Sequence, residues 1–216
     1  MSVTPLRIIF FGTPDFASAS LEAIVAAGLR VVCVVTAVDK PAGRGQKISE
    51  SAVKKTALAL KIPILQPPNL KAPDFIETMN NYQADLGVVI AFRMLPEVVW
   101  SMPRLGTINL HGSLLPNYRG AAPIHHAIIN GESTTGVTTF FLKHEIDTGD
   151  IISSTEIAVS EEETVGELHD RMMVIGATLM VDTLRKIQNN EHQSHPQPNI
   201  TVVKSAPKLN REFCEL

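Results

Sequence analysis

The chain has 216 residues, of which 44% are hydrophobic, 19% charged and 5% aromatic, and its formal net charge is -3. This composition excludes a disordered chain and a coiled coil, and the acidic balance gives no global signal for nucleic-acid binding. The apolar runs are too short for a membrane helix or a signal peptide. Since Cys33 and Cys214 do not make a disulfide framework, we expect a soluble cytoplasmic protein with no membrane partner.

The first half of the chain alternates predicted strands and helices. Continuous aliphatic runs of this kind are typical of parallel strands that helices cover on both faces. The alternation predicts an α/β fold with a Rossmann-like, doubly wound, mostly parallel sheet. The predicted strands are 7–11, 31–35, 63–65 and 86–92, and the predicted helices are 16–27, 51–60 and 75–81.

The second half continues the pattern with longer loops. Thr164 and Glu167 have the spacing of a capping box, which predicts the start of a long helix that ends near Gln188. The polar residues that follow have the composition of a linker. The predicted strands are 107–110, 136–142, 151–159 and a short one at 199–204, the helices are 124–130 and 164–188, and the linker is 189–198.

Positive charge is concentrated in one segment. Residues 35–61 contain six basic and two acidic side chains, a net charge of +4 in a chain whose total is -3. Such a segment suits contact with phosphate groups, and a solvated lysine-rich face is the alternative interpretation.

Polar residues that follow aliphatic strands are the first candidates for chemistry, because ligands of open α/β sheets bind beyond the carboxyl ends of the strands. Asn109 and His111 end one strand and share a face by alternation, and Asp147 lies in the loop 143–150 after another. An amide, an imidazole and a carboxylate without a nucleophilic Ser or Cys favour acyl transfer by direct attack. From spacing alone, a turn-forming Asn, a surface His and an Asx turn are the more frequent interpretations of these three residues.

Two classes of site lack their motifs. The seven histidines include no His-Glu-x-x-His pair and the two cysteines are far apart, so we expect no metal. The glycine-rich dinucleotide-binding motif is absent as well, which leaves a nucleotide-binding oxidoreductase as an analogy of fold only.

Several motifs in collinear order resemble the folate-dependent formyltransferase family. The main ones are NLHGSLLPNYRGAAPI at 109–124 and IDTGDI at 146–151. RIIFFGTPDF at 7–16, DKPAGRGQK at 39–47 and APKL at 206–209 are similar to members that act on aminoacylated tRNA. The resemblance extends over nearly the whole chain, so it implies the fold of formyltransferases as well as their activity.

This resemblance implies transfer of a formyl group from 10-formyltetrahydrofolate to the α-amino group of methionine on initiator methionyl-tRNA. It makes Asn109, His111 and Asp147 the catalytic residues. Preorganised donors such as Asn109 and His111 would stabilise the developing oxyanion, and Asp147 would hold His111 and assist proton removal. The implied folate-binding residues are Arg93, Leu95, Ser113, Leu114, Leu115 and Pro116.

The same resemblance assigns the basic segment to tRNA, through Lys40, Arg44 and Lys47. It also implies a catalytic domain at 1–188, followed at 189–216 by a linker and the start of a second, β-rich domain. We expect a monomer.

Two alternatives of different kinds remain. A related formyltransferase acting on glycinamide ribonucleotide or on an amino sugar nucleotide would use the same three catalytic residues. A truncated module that binds folate or tRNA without turnover would also retain them.

Overall fold

The computed structural model describes residues 5–42, 47–199 and 203–211. These residues form eleven strands and six helices. The strands are β1 (Arg7–Gly12), β2 (Arg30–Val35), β3 (Lys40–Ala42), β4 (Lys47–Ser49), β5 (Ile64–Leu65), β6 (Leu86–Ile90), β7 (Thr107–His111), β8 (Arg119–Gly120), β9 (Thr134–Phe141), β10 (Ile151–Ala158) and β11 (Ser205–Ala206). The helices are α1 (Asp15–Ala26), α2 (Ala52–Ala59), α3 (Pro73–Asn81), α4 (Glu97–Trp100), α5 (Pro123–Ile129) and α6 (Val165–Gln188).

A seven-stranded sheet organises the molecule, in the order β10-β9-β7-β6-β1-β2-β5. The five strands from β7 to β5 are parallel, whereas β9 runs antiparallel to β7 and β10 antiparallel to β9. The prediction of an α/β fold with a mostly parallel, doubly wound sheet is confirmed.

Alternate residues of the central strand β1 fill the two cores of the domain. Ile8 and Phe10 pack with α1, α2 and α6 in the larger core, and Ile9 and Phe11 pack with α3 and α4 in the smaller one. All four side chains are fully buried. Each such burial stabilises the fold by about 1.5–3 kcal/mol, which explains why β1 is a continuous apolar run.

Helix α6 begins where the capping box predicts. The Oγ1 atom of Thr164 accepts a hydrogen bond from the Glu167 backbone N–H at 3.3 Å, and the Glu167 carboxylate accepts one from the Thr164 N–H at 2.9 Å. The helix is 24 residues long and packs one apolar face on the sheet. None of the helices in the described ranges is apolar enough over a sufficient length to span a membrane.

Several predicted boundaries are wrong. The strand 86–92 ends at Ile90, since Ala91 adopts a left-handed conformation with φ of 45° that breaks the strand. Of the strand predicted at 199–204, residues 203–204 are not in a strand, and residues 200–202 lie outside the described residues. The strand at this end of the chain is instead Ser205–Ala206, and it is short because its partner β8 has only two residues.

Four elements, β3, β4, β8 and α4, have no counterpart in the predictions. The segments β3 and β4 form an antiparallel pair within the basic window, β8 pairs with β11, and α4 follows Pro96. Each is two to four residues long, which is too short for a hydrophobic period to be visible in the sequence.

Candidate active site

A cavity of about 840 Å³ opens beside the carboxyl ends of β6 and β7. Four segments supply most of its wall, and they come from parts of the sequence far from one another. These segments are residues 91–97, 109–112, 120–125 and 142–147. The cavity therefore brings together the strand end that carries Asn109 and His111 and the loop that carries Asp147.

Strand β7 places Asn109 and His111 on the cavity side of the sheet. Ile108 and Leu110, which alternate with them, point into the larger core. Leu110 lies against α6 at Gly176, where an added Cβ would come within 2.9 Å of Leu110 Cδ2. This packing fixes the face of β7, so Asn109 and His111 both line the cavity.

Asn109 is a half-buried residue whose side chain makes no hydrogen bond within the described part of the chain. Its backbone is held between β6 and β9, opposite Val89 and Phe140. A rigid strand thus presents an amide group with unused donors to the cavity. Such a group can hydrogen-bond an oxygen of a bound molecule without breaking an existing contact.

His111 is 6% exposed and is fixed from two sides. Its Nε2 lies 2.8 Å from the carbonyl oxygen of Tyr118, and its ring packs edge-on against Phe140 with centroids 6.5 Å apart. Because a carbonyl only accepts, Nε2 must carry a proton. The remaining nitrogen, Nδ1, lies 3.7 Å from Oδ2 of Asp147. It carries a lone pair in the neutral ring and an N–H in the imidazolium.

Asp147 reaches His111 by a route that differs from the expectation. Because β9 runs antiparallel to β7, the carboxyl end of β9 pairs with Ile108, near the start of β7. The loop that follows β9 therefore does not begin at the carboxyl edge of the parallel strands. The loop after β9 folds back, and Asp147 turns with φ of 53°. Its Oδ2 accepts a hydrogen bond from the Gly120 N–H at 2.9 Å, and its side chain is 12% exposed.

The fold-back requires a glycine at position 149. A Cβ built on Gly149 would lie 1.5 Å from the carbonyl oxygen of Phe141, the last residue of β9. No side-chain rotation can relieve a clash with backbone. Gly149 is therefore the residue that allows the Asp147 loop to return against its own strand.

Gly149→Ala is expected to lower the free energy of unfolding by about 3 kcal/mol, because the loop must move away from β9. For a domain of this size that corresponds to a fall in Tm of roughly 6–12 °C. Gly166→Ala is the matched control, since its Cβ would meet only Thr164 Oγ1 at 4.0 Å. Calorimetry that finds the same Tm for both variants would contradict the assigned role of Gly149.

The predicted folate-binding residues fall into two groups. Arg93 and Leu95 lie in the cavity wall, and the Arg93 guanidinium donates to the carbonyl oxygens of Pro67 and, at 3.0 Å, Pro68. The stretch 113–116 does not line the cavity. Folate contact through Ser113, Leu114, Leu115 and Pro116 stays a prediction.

Residues 113–116 instead belong to the hydrogen-bonded loop that follows β7. Ser113, which is fully buried, donates its hydroxyl to the Asn117 carbonyl at 2.7 Å. Thr138 donates to the Ser113 carbonyl at 2.7 Å and accepts from the Leu115 N–H at 3.3 Å. These contacts fix the chain that leads from His111 to its partner, the Tyr118 carbonyl.

A charged cluster at the surface braces Tyr118. Its hydroxyl donates to the Glu132 carboxylate and accepts from Asn130 Nδ2 at 3.0 Å, and the Lys204 ammonium also pairs with Glu132. Hydrogen bonds from Lys204 and Tyr118 hold the pKa of Glu132 below its usual value. The bond to Glu132 in turn raises the pKa of Lys204.

This cluster predicts an acid-sensitive contribution to stability. Because the pKa of Glu132 is lower in the folded protein than in the unfolded chain, its stabilisation is complete above the ordinary value of 4.5 and is lost as pH falls through the folded value. Glu132→Gln should thus be less stable than wild type at pH 6, and the difference should shrink towards pH 3. Urea unfolding at intervals between pH 3 and pH 6 measures this difference in stability. A difference that does not change with pH would contradict the coupling.

The predicted tRNA contacts are distributed over β3 and β4. Lys40 is exposed on β3, the backbone of Lys47 belongs to β4, and Arg44 lies outside the described residues. At the base of this pair, Lys54 forms ion pairs with Asp39 and, at 2.8 Å, with Glu50. The positive charge of Lys54 is therefore compensated locally by the two acidic side chains of the segment, which leaves its other basic side chains as the candidates for phosphate contact.

Three groups that hold the site in place are not predicted from the sequence. The Tyr118 carbonyl and the Gly120 N–H are backbone groups, so no residue type reveals them. Gln197 bonds to the backbone of the Asp147 loop, but it lies in a polar segment with the composition of a linker. No group of three or more potential metal-ligating side chains comes together in the described ranges.

Comparison with known proteins identifies a family and relatives of this chain. Residues 6–184 match the family described as formyl transferase. The methionyl-tRNA formyltransferase of Flavobacterium johnsoniae is 55% identical over 211 residues, which is 98% of this chain and 67% of that protein.

Solved structures share the fold at lower identity. Phosphoribosylglycinamide formyltransferase from Bacillus halodurans superimposes with a TM-score of 0.73 at 22% identity, covering 84% of this chain and 94% of that one. An N-formyltransferase from Helicobacter canadensis, in complex with folinic acid and dTDP-3-aminofucose, gives a TM-score of 0.69 at 21% identity over 96% of this chain and 72% of that one. The family match, the identity to its relatives and the shared fold establish that this chain belongs to the formyl transferase family.

Proposed function

We propose that the protein transfers the formyl group of 10-formyltetrahydrofolate to the α-amino group of methionine on initiator tRNA. The observation that carries this proposal is the convergence of Asn109, His111 and Asp147 on one cavity. The identity of 55% to a methionyl-tRNA formyltransferase favours this acceptor over a ribonucleotide or a sugar nucleotide.

The cavity has properties that suit a folate. Its volume of about 840 Å³ lies within the usual range for small-molecule sites, about 300–1,000 Å³. Phe92, Leu95 and Leu142 form an apolar part of the cavity wall that suits a flat ring. Asn109 offers an amide that has no hydrogen-bond partner within the described residues. The folinic acid bound by the Helicobacter canadensis enzyme is a ligand of the same chemical class.

Bound 10-formyltetrahydrofolate supplies the formyl carbon that the methionine amine attacks. Asn109 donates an N–H to the formyl oxygen as negative charge develops there. His111, as the imidazolium, adds the Nδ1–H, and its Nε2–H remains on the Tyr118 carbonyl. Donors that are already oriented stabilise this charge without reorganisation, which is the main source of rate acceleration at such sites.

Asp147 completes the chemistry as an acceptor. Its carboxylate lies 3.7 Å from His111 Nδ1, so it stabilises the imidazolium, and it receives the proton that the attacking amine loses. The Gly120 N–H holds the carboxylate in place at 2.9 Å. Asp147 then returns this proton to the folate nitrogen as the bond between that nitrogen and the formyl carbon breaks, which balances the reaction and restores the carboxylate.

The acceptor would approach across the basic segment. Lys40 is exposed there, and we assign Lys40, Arg44 and Lys47 to tRNA on the basis of their charge and position in the sequence. We further propose that residues 1–188 are the catalytic domain and that 189–216 lead towards a β-rich domain after packing against the catalytic domain through His195, Gln197 and β11. We also propose that the protein acts as a cytoplasmic monomer. The chain spans about two thirds of the length of its Flavobacterium relative.

An acceptor competition tests the proposal. The protein is incubated with 10-formyltetrahydrofolate labelled in the formyl group and an equimolar mixture of methionyl initiator tRNA, glycinamide ribonucleotide and an amino sugar nucleotide. We expect label on the aminoacyl-tRNA. Label on the ribonucleotide or the sugar nucleotide would overturn the acceptor assignment, and folate binding without any transfer would leave a binding module.

A further inference from the structure

The Gln197 side chain joins the two loops that hold the Asp147 carboxylate. Its Nε2 donates to the backbone carbonyl of Asp147 at 2.8 Å and to that of Gly149 at 2.9 Å. Its Oε1 accepts from Nε of Arg119 at 3.1 Å and also from Nη2 of Arg119. Both donors and the acceptor of the amide are therefore used in one bridge.

The polar segment after α6 delivers Gln197 to this place. His195 and Ile151 exchange backbone hydrogen bonds of 2.8 and 2.9 Å, which dock the segment against the start of β10. Two residues later, Gln197 faces the loop that closes between β9 and β10. The segment predicted as a linker thus packs beside the active site.

The Gln197 bridge contacts both of the segments that fix Asp147, namely the turn that contains it and the segment that contains Gly120. One end fixes the turn 147–149, in which Asp147 has the uncommon φ of 53°. The other end fixes Arg119, whose neighbour Gly120 supplies the N–H that binds the Asp147 carboxylate. Gln197 is not part of the cavity wall, so it can influence the chemistry only through these residues.

We infer that Gln197 is a positioning residue, which sets the distance between the Asp147 carboxylate and the His111 imidazole. This inference rests on the proposed function for its kinetic consequence, but the geometry it asserts can be measured without activity. Glutamine fits the position because it offers two N–H donors to the carbonyls and an oxygen to the guanidinium. Methionine fills a similar volume but has neither the N–H donors nor the oxygen acceptor. Glutamate keeps the contact with Arg119, but its carboxylate cannot donate to the two carbonyl oxygens that it faces.

The test uses Gln197→Met and Gln197→Glu in the full chain. Gln193→Met and Gln193→Glu are matched controls, because Gln193 is exposed in the same segment and makes no side-chain hydrogen bond within the described residues. Both Gln197 variants should lower kcat by about 10- to 100-fold, as expected for a displaced catalytic group, with the folate KM within about twofold of wild type. The Gln193 variants should keep both constants.

Amide hydrogen exchange of Gly120 is the second readout. If Gln197 positions Asp147, exchange at Gly120 should be at least about 10-fold faster in Gln197→Met than in Gln193→Met, since its acceptor is displaced. Unchanged exchange, or wild-type kcat in Gln197→Glu, would overturn the inference. If wild type transfers no formyl group, the proposed function fails, and Gly120 exchange alone still decides the role of Gln197.

Discussion

Asp147→Asn is expected to lower kcat for formyl transfer by about 10²- to 10⁴-fold, the range for loss of a general acid or base. Asparagine has the same shape, and its amide oxygen can accept the Gly120 hydrogen bond that Asp147 Oδ2 accepts at 2.9 Å. It also tolerates the left-handed backbone at this position. The variant therefore removes the negative charge and the proton acceptor while keeping the loop in place.

Steady-state kinetics with methionyl initiator tRNA measure this effect. Asp182→Asn, on the exposed face of α6, makes the same chemical change away from the cavity and should behave as wild type. Retention of more than a tenth of the wild-type kcat by Asp147→Asn would show that another group accepts the proton. A fall in Tm for Asp147→Asn but not for Asp182→Asn would indicate instead that Asp147 has a structural role.

Asn109→Ala is expected to reduce kcat by about 10²- to 10³-fold, as removal of a single oxyanion donor does in other acyl-transfer enzymes. The side chain makes no hydrogen bond within the described part of the chain, so truncation leaves no partner unsatisfied there. Folate affinity and Tm should stay close to wild type. The loss would then be confined to the step in which charge develops on the formyl oxygen.

A control and a binding measurement accompany this variant. Asn80→Ala, on the exposed side of α3, removes the same amide far from the cavity. Isothermal titration with a folate analogue separates binding from chemistry. Equal losses of folate affinity and of kcat in Asn109→Ala would mean that Asn109 holds the donor and does not stabilise the transition state.

Much of the fold follows from the sequence, because parallel strands are buried on both faces. The run Arg7–Gly12 is apolar at each of the positions that the two cores need, so its strand is visible without structural information. The shared face of Asn109 and His111 also follows from strand alternation, whereas their catalytic role comes from the resemblance to formyltransferases. Polar residues that alternate with Ile108 and Leu110 at the end of a buried strand must face away from the larger core.

The position of Asp147 could not be obtained in this way. The strand β9 looks in sequence like another parallel strand, and only its antiparallel pairing with β7 shows that the loop must fold back to reach His111. Spacing alone therefore does not distinguish an Asx turn from a catalytic carboxylate. The resemblance to formyltransferases identified Asp147, and the contact with His111 supplies its physical reason.

The supporting groups are invisible for a different reason. A backbone carbonyl such as that of Tyr118, or an N–H such as that of Gly120, is present at almost every residue, so its role depends on tertiary structure. Gln197 has a side chain suited to its bridge, but a glutamine between two prolines in a polar segment has the composition of a linker. Long-range pairing, here between His195 and Ile151, gives such a segment its place.

The rate of a single turnover tests most directly whether these residues transfer a formyl group to aminoacyl-tRNA. Excess protein is loaded with labelled 10-formyltetrahydrofolate and mixed rapidly with methionyl initiator tRNA, and the label on the tRNA is followed for wild type and Asn109→Ala. We predict transfer by wild type and a rate constant about 10²- to 10³-fold lower in the variant at equal folate occupancy. Equal rates for the two proteins, or no label on the tRNA with either, would contradict the assignment.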